Sequence, residues 1–218
     1  MSSKPRPIRR LLDGVLKFRE RAFPGKQQLF ERLATGQNPH TLFITCADSR
    51  ISPEMITQTG PGDMFVCRNI GNIVPAYGEM MGGVSAVVEY ACTGLGVSDV
   101  VVCGHSDCGA MKGLLDPAKA GLEKMPTVAS WLRNAEAARS VVAVTKPDLQ
   151  GSALVEALVE QNVRLQMSHL RTHPSVAAGL ADGKLTLHGW VYDIKSGQVS
   201  EFDRDEKRLV PISTAGVV

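Results

Sequence analysis

Three short runs, TLFIT (41–45), MFVCR (64–68) and VVVCG (100–104), carry apolar side chains at successive rather than alternate positions. A strand of that kind is buried on both faces, which points to a parallel sheet covered by helices. Segments with apolar residues three and four apart separate these runs: 52–58, 83–95, 109–115, 127–140 and 152–170 are read as helices. Ser52, Pro53 and Glu54 supply an N-cap, a first helical position and a first-turn acid. LTLHGWVYD (185–193) and 198–203 form a hairpin around Ser196-Gly197. The proline- and glycine-bearing segments 116–126 and 146–151 are loops. Before the first strand, Ile8, Leu11, Leu12, Val15 and Leu16 mark an amphipathic helix whose apolar face packs on its own domain or on a second copy. The expected architecture is therefore α/β. A mainly parallel central sheet of about five strands is flanked by helices in one domain, with an N-terminal helical arm (1–36), a core (37–203) and a tail (204–218).

Charge and cysteine usage narrow the function. The net charge of +2 gives no broad basic field for nucleic acid or an anionic membrane surface, and no apolar stretch reaches membrane-spanning length. The basic N-terminus is followed by neither a long apolar run nor a small-residue cleavage site, so a secretory signal is not expected. Five cysteines, an odd number, then argue for the cytoplasm, with free thiols or metal ligands rather than a disulfide framework. Cys67, Cys92 and Cys103 lie within or beside apolar segments and are read as small buried residues.

Reactive residue types gather at two strand ends: Cys46, Asp48 and Arg50 after the first run, His105 and Cys108 after the third. Sites in parallel α/β sheets form at the carboxyl ends of strands, so neighbouring strands would bring these residues into one crevice. Two cysteines and a histidine make a zinc set that keeps a fourth position open, as catalytic zinc requires. Asp48 and Arg50 occupy alternate positions of an extended loop, where a carboxylate and a guanidinium can pair beside the metal. His169 and His173 have the spacing of a metal pair, but Pro174 and the lack of an acidic partner favour capping or packing roles. No strand leads into a G-x-G-x-x-G turn, which disfavours a nucleotide-binding fold.

The segments C46-A-D-S-R50 and G104-H-S-D-C108-G-A closely resemble the two signatures of β-class carbonic anhydrases. PGDMFVCRNIGNIVP (61–75), GGVSAVVEYA (82–91) and HGWVYDIKSG (188–197) are similar to that family in order and spacing, so the resemblance runs from about 37 to 203. Its details look most like the bacterial branch encoded beside cyanate-degrading enzymes. The resemblance implies reversible hydration of carbon dioxide to bicarbonate and a proton by zinc-bound hydroxide. Cys46, His105 and Cys108 would hold one zinc ion per chain, and Asp48 and Arg50 would form the catalytic dyad. Asp48 would become a fourth ligand only in a closed state, and the presence of Gln37 favours an open one. Gln37, Phe65, Ile70, Tyr90 and Gly109 would bind substrate, with Gln37, Phe65 and Tyr90 serving a neighbouring subunit. A homodimer is then the minimum unit, with tetramers or octamers as larger assemblies. Two alternatives keep the metal but change its use: a carbon disulfide hydrolase-like enzyme, and a non-catalytic zinc or bicarbonate sensor.

Overall fold

The structure, a computed structural model, describes residues 7–79 and 82–213. It falls into two compact units, Met1–Gln37 and Asn38–Val218. In the first, α1 (Pro7–Lys17) is the amphipathic helix read from the sequence, and none of its residues is buried. A wide π turn (Phe18–Ala22) and a tight turn (Pro24–Lys26) lead into α2 (Gln27–Leu33), which sequence periodicity did not reveal. Phe23 and Phe30 stack at 5.2 Å while Phe18 meets both edge-on at 6.0 Å, so three aromatic rings close the bend. Ile8, Leu11, Leu12, Val15 and Leu16 remain more than half exposed.

The second unit is built on β1 (Thr41–Cys46), β2 (Met64–Asn69), β3 (Asp99–His105), β4 (Thr186–Tyr192), β5 (Val199–Phe202) and β6 (Leu209–Pro211), in the order β2-β1-β3-β4-β5-β6. The first four strands are parallel; β4, β5 and β6 pair antiparallel. The three strand runs and the hairpin are where the sequence placed them. The sixth strand falls within the segment read as tail, of which residues 214–218 lie outside the described residues. Three residues ending in Pro211, behind the charged run 203–208, carry no period-two signal, and proline is tolerated there because β6 is an edge strand.

Between the strands run α3 (Pro53–Thr57), α4 (Gly83–Glu89), α5 (Gly109–Leu115), α6 (Pro126–Leu132), α7 (Glu136–Thr145), α8 (Gly151–Leu170) and α9 (Pro174–Ala181). The helix expected over 83–95 finishes in a π turn at Tyr90–Gly94, and that over 127–140 is interrupted by a 3₁₀ turn at Arg133–Ala135. Ser52 occupies the N-cap position of α3 but its hydroxyl makes no capping bond. Helix α8 lies directly on the sheet. A Cβ on Gly104 would come within 2.8 Å of Val163 Cγ2, and one on Gly189 would collide with Met167 Sδ and Phe202. Glycine on adjacent strands is what lets the helix approach, burying Leu42, Ile44, Val100 and Val102 beneath it with Val163 and Met167. Phe43, Val101 and Cys103 pack together in a separate cluster, where burial pushes the Cys103 thiol up to about 12.

One half-buried charge cluster was not foreseen. His188 on β4 bonds Glu201 at 2.6 Å through Nδ1 and Asp99 at 2.9 Å through Nε2, bridging β3 and β5. Glu201 first, then Asp99, raise the His188 pKa above its usual value against the opposing effect of burial. A raised histidine contributes stability that is fully present below its unfolded pKa of about 6.5 and is lost as pH rises through the higher folded value. His188→Gln is therefore expected to destabilise most near pH 6 and progressively less as pH rises, read by urea unfolding.

Candidate metal centre

The sheet order builds the crevice. From β1 the chain adds β2 on one side and then crosses to add β3 on the other, so β1 and β3 diverge at a topological switch point. Cys46 is the last residue of β1 and His105 the last of β3; Cys108 follows as the N-cap residue of α5. Their ligand atoms all lie within 4.8 Å of one another, and all three residues are buried. His105 Nδ1 bonds the Ser106 carbonyl at 2.9 Å. A carbonyl only accepts, so Nδ1 carries the proton and Nε2 presents its lone pair. That Nε2 is buried with no hydrogen-bond partner.

The two thiols sharpen this picture. A hydrogen bond from Cys108 is the largest influence lowering the Cys46 pKa, helped by the Gly71 and Asp48 backbone against the opposing effect of burial. The same bond to Cys46, then burial, raises Cys108. The pair gives up one proton readily and the second only with a cation in place. An orphaned imidazole nitrogen beside such a pair fits a thiophilic divalent metal, and the Cys₂His set matches zinc sites with an open position.

Beside it stands the ion pair. Arg50 Nε donates to Asp48 Oδ1 at 3.0 Å and Nη2 to Oδ2 at 2.8 Å, a two-pronged contact. The Arg50 backbone N–H adds a third bond to Oδ1. The hydrogen bonds from Arg50 hold Asp48 well below the usual carboxylate range. Asp48 Oδ2 lies 3.9 Å from His105 Nε2, so the dyad borders the ligand cluster while Arg50 keeps its grip on both carboxylate oxygens.

Sequence reasoning missed the residues that hold this arrangement. Asp107, in a left-handed conformation (φ 59°), accepts Arg50 Nη1 at 3.0 Å through its side chain and Nη2 at 3.3 Å through its carbonyl, and also pairs with Lys112. Arg68 donates to the carbonyls of Cys46 at 3.2 Å and Asp48 at 2.7 Å, pinning the loop between them. A cation inside the MFVCR run was the available signal. Helix α8 and the turn after it grip the loop beyond β2. Gln166 Oε1 accepts from Val74 N at 2.9 Å, His169 donates to Val74 O at 2.7 Å, and His173 to Pro75 O at 3.0 Å. His169 and His173 thus serve packing, as Pro174 and the lack of an acidic partner suggested against their metal-like spacing.

The proposed substrate residues divide. Gly109 opens α5 directly after Cys108, and Ile70 follows β2, whose last residue pairs with Cys46. Phe65 pairs instead with Leu42, four residues or about 13 Å down the strand from Cys46, and its ring meets Tyr90 at 5.8 Å. Tyr90 is 52% exposed and Ile70 43%, so neither is a core residue here. Gln37 ends the N-terminal unit and is exposed.

No helix is long and apolar enough to cross a membrane among the described residues. The carbonic anhydrase family profile matches residues 41–199. The carbonic anhydrase of Pseudomonas aeruginosa is 51% identical over 206 residues, spanning 94% of this chain and 92% of that one. The β-carbonic anhydrase CcaA superposes with a TM-score of 0.91 at 44% identity, covering 94% of this chain and 99% of CcaA. The Sordaria macrospora structure, described as that of tetrameric β-carbonic anhydrases, gives 0.80 at 29% identity over 94% and 98%. With that profile over most of its length and a relative half identical almost end to end, the chain belongs to the β-class carbonic anhydrases, enzymes that interconvert carbon dioxide and bicarbonate.

Proposed function

We propose that the chain carries out this hydration at one zinc ion held by Cys46 Sγ, His105 Nε2 and Cys108 Sγ, with Asp48 and Arg50 as the catalytic dyad. The buried, unpartnered His105 Nε2 facing two thiols is the observation that carries the reading. When bound, zinc would act as a Lewis acid that makes a water nucleophilic, less strongly than in a three-histidine site because two thiolates offset its charge.

Asp48 does the orienting. Oδ2 accepts one bond from Arg50 and keeps a lone pair on the side of His105, where it can take a hydrogen bond from the reacting water and turn that water's own lone pair toward carbon dioxide. Arg50 keeps the carboxylate ionised and away from the ligand cluster, which favours the open site over a closed sensor. The backbone N–H of Gly109 would stabilise charge growing on the substrate oxygen, and Ile70 would border the apolar pocket. Phe65, far down the strand from Cys46, and Tyr90, whose ring meets it, would serve the site of a second copy together with Gln37, making a homodimer the working unit; the tetrameric Sordaria relatives make a larger assembly reasonable. Free cysteines and the absence of a spanning helix among the described residues support a cytoplasmic enzyme.

Stopped-flow hydration on protein of measured zinc content, from about pH 6.5 to 9, tests the proposal. One zinc per chain and a rate that climbs with pH are expected. Full zinc with only the uncatalysed rate would overturn it, and carbon disulfide would then be the next substrate to assay.

A further inference from the structure

Cys46 has a backbone partner: the Gly71 N–H donates to its Sγ at 3.4 Å. That N–H shares a peptide plane with the Ile70 carbonyl, which accepts the Trp131 indole N–H at 2.8 Å. In a trans peptide the two groups point in opposite directions, so holding the carbonyl toward α6 aims the N–H at the thiolate. The next plane is held as well. Gly71 O accepts from Asn162 Nδ2 at 3.0 Å, and the Asn162 Oδ1 accepts from Gln166 Nε2 at 2.8 Å. Gly71 itself adopts φ +77°, and a Cβ there would lie 3.0 Å from that of Ala110, so the loop rests against α5, which starts from Cys108.

We propose that Trp131 and Asn162 are positioning residues for the metal centre: by fixing the peptide planes on either side of the Gly71 amide nitrogen and carbonyl, they set how much charge the Cys46 sulfur donates to the ion. An N–H···S bond withdraws electron density from a thiolate, so an amide free to rotate away leaves a stronger donor. Trp131 is suited to this task because its ring packs half-buried against the cluster containing Cys46 and Cys108. Its N–H can be removed while most of that packing stays.

The inference rests on Cys46 being a ligand, and the experiment separates the two. Wild type, Trp131→Phe and Asn162→Leu are loaded with cobalt(II), and the thiolate-to-cobalt charge-transfer band is recorded together with metal content and thermal unfolding. Asn162→Leu keeps the volume and drops both the donor to Gly71 and the acceptor for Gln166. Both variants are expected to bind one cobalt per chain and to move the band to longer wavelength, as a more electron-rich sulfur requires. A folded, loaded Trp131→Phe with the wild-type band overturns the positioning role. Should Trp131→Phe not fold, Asn162→Leu decides on the same two outcomes. Wild-type protein that takes up cobalt but shows no thiolate band would instead overturn the ligand assignment itself.

Discussion

Replacing Cys108 with serine is expected to remove metal and activity together. Cys108 is 1% exposed at the head of α5, and its thiolate is one of three protein ligands. Zinc bound by protein sites of this chemistry is held by on the order of 10–16 kcal/mol, so loss of one of three ligands should weaken binding by roughly 10³-fold. Serine oxygen does not replace the thiolate at neutral pH, because its proton is far harder to remove. Hydration should fall to the uncatalysed rate after dialysis against a mild chelator, with zinc content falling in parallel. The metal-free proteins should differ much less. The neighbouring thiol and burial already keep Cys108 protonated without a cation, so serine replaces one neutral group with another. A zinc-replete Cys108→Ser protein with wild-type turnover would remove Cys108 from the ligand set.

Asp48→Asn is expected to keep zinc and to slow hydration by about 10²- to 10⁴-fold, the range found for positioned proton-accepting groups. Asparagine preserves the volume and lets Arg50 keep its bonds to Asp107, so the loop should remain in place. The amide loses the anionic acceptor at Oδ2. The shape of the pH profile is the sharper readout. Hydrogen bonds from Arg50 depress the Asp48 pKa, so its charge is present throughout the neutral range and is lost only as pH falls through that low value. Whatever titrates between about pH 6.5 and 9 is therefore not Asp48, and the variant's rate should be reduced by a similar factor at every pH. A variant with unchanged rate would exclude Asp48 from the reaction, and one that loses zinc would recast it as a structural support of the ligands.

Much of this centre could be read before the fold was known, because its chemistry is written in short segments. Cys46, Asp48 and Arg50 fall within five residues, as do His105 to Cys108, and each segment follows an apolar run that could only be a buried strand. The rule that sites gather at strand ends then joined the two. What escaped notice depends on contacts across long stretches of chain. Asn162 reaches Gly71 over 91 residues and Trp131 reaches Ile70 over 61, and neither has a local pattern that distinguishes it from an ordinary helical residue. His188 lies in a strand run that shows no role for it, because its partners sit on β3 and β5. Elements were lost for a related reason. Helix α9, with its PSVAAGLA composition, is held by packing rather than by periodicity, and β6 is too short to show alternation.

The grip of α8 on the loop after β2 bears on how long the centre stays assembled. Irregular loops usually open and close on their own, exchanging amide hydrogens with solvent while the rest of a protein stays folded. Here Asn162, Gln166 and His169, together with His173 just past the helix, hold Gly71, Val74 and Pro75, while Asn69 bonds both the N–H and the carbonyl of Ile73. Freeing the segment means stripping buried side chains of their partners, at a cost of about 1–3 kcal/mol for each one left unsatisfied. The loop therefore belongs to the same cooperative unit as the sheet beneath it. Its amides should exchange at the pace of global unfolding, and the lifetime of the site should be that of the fold.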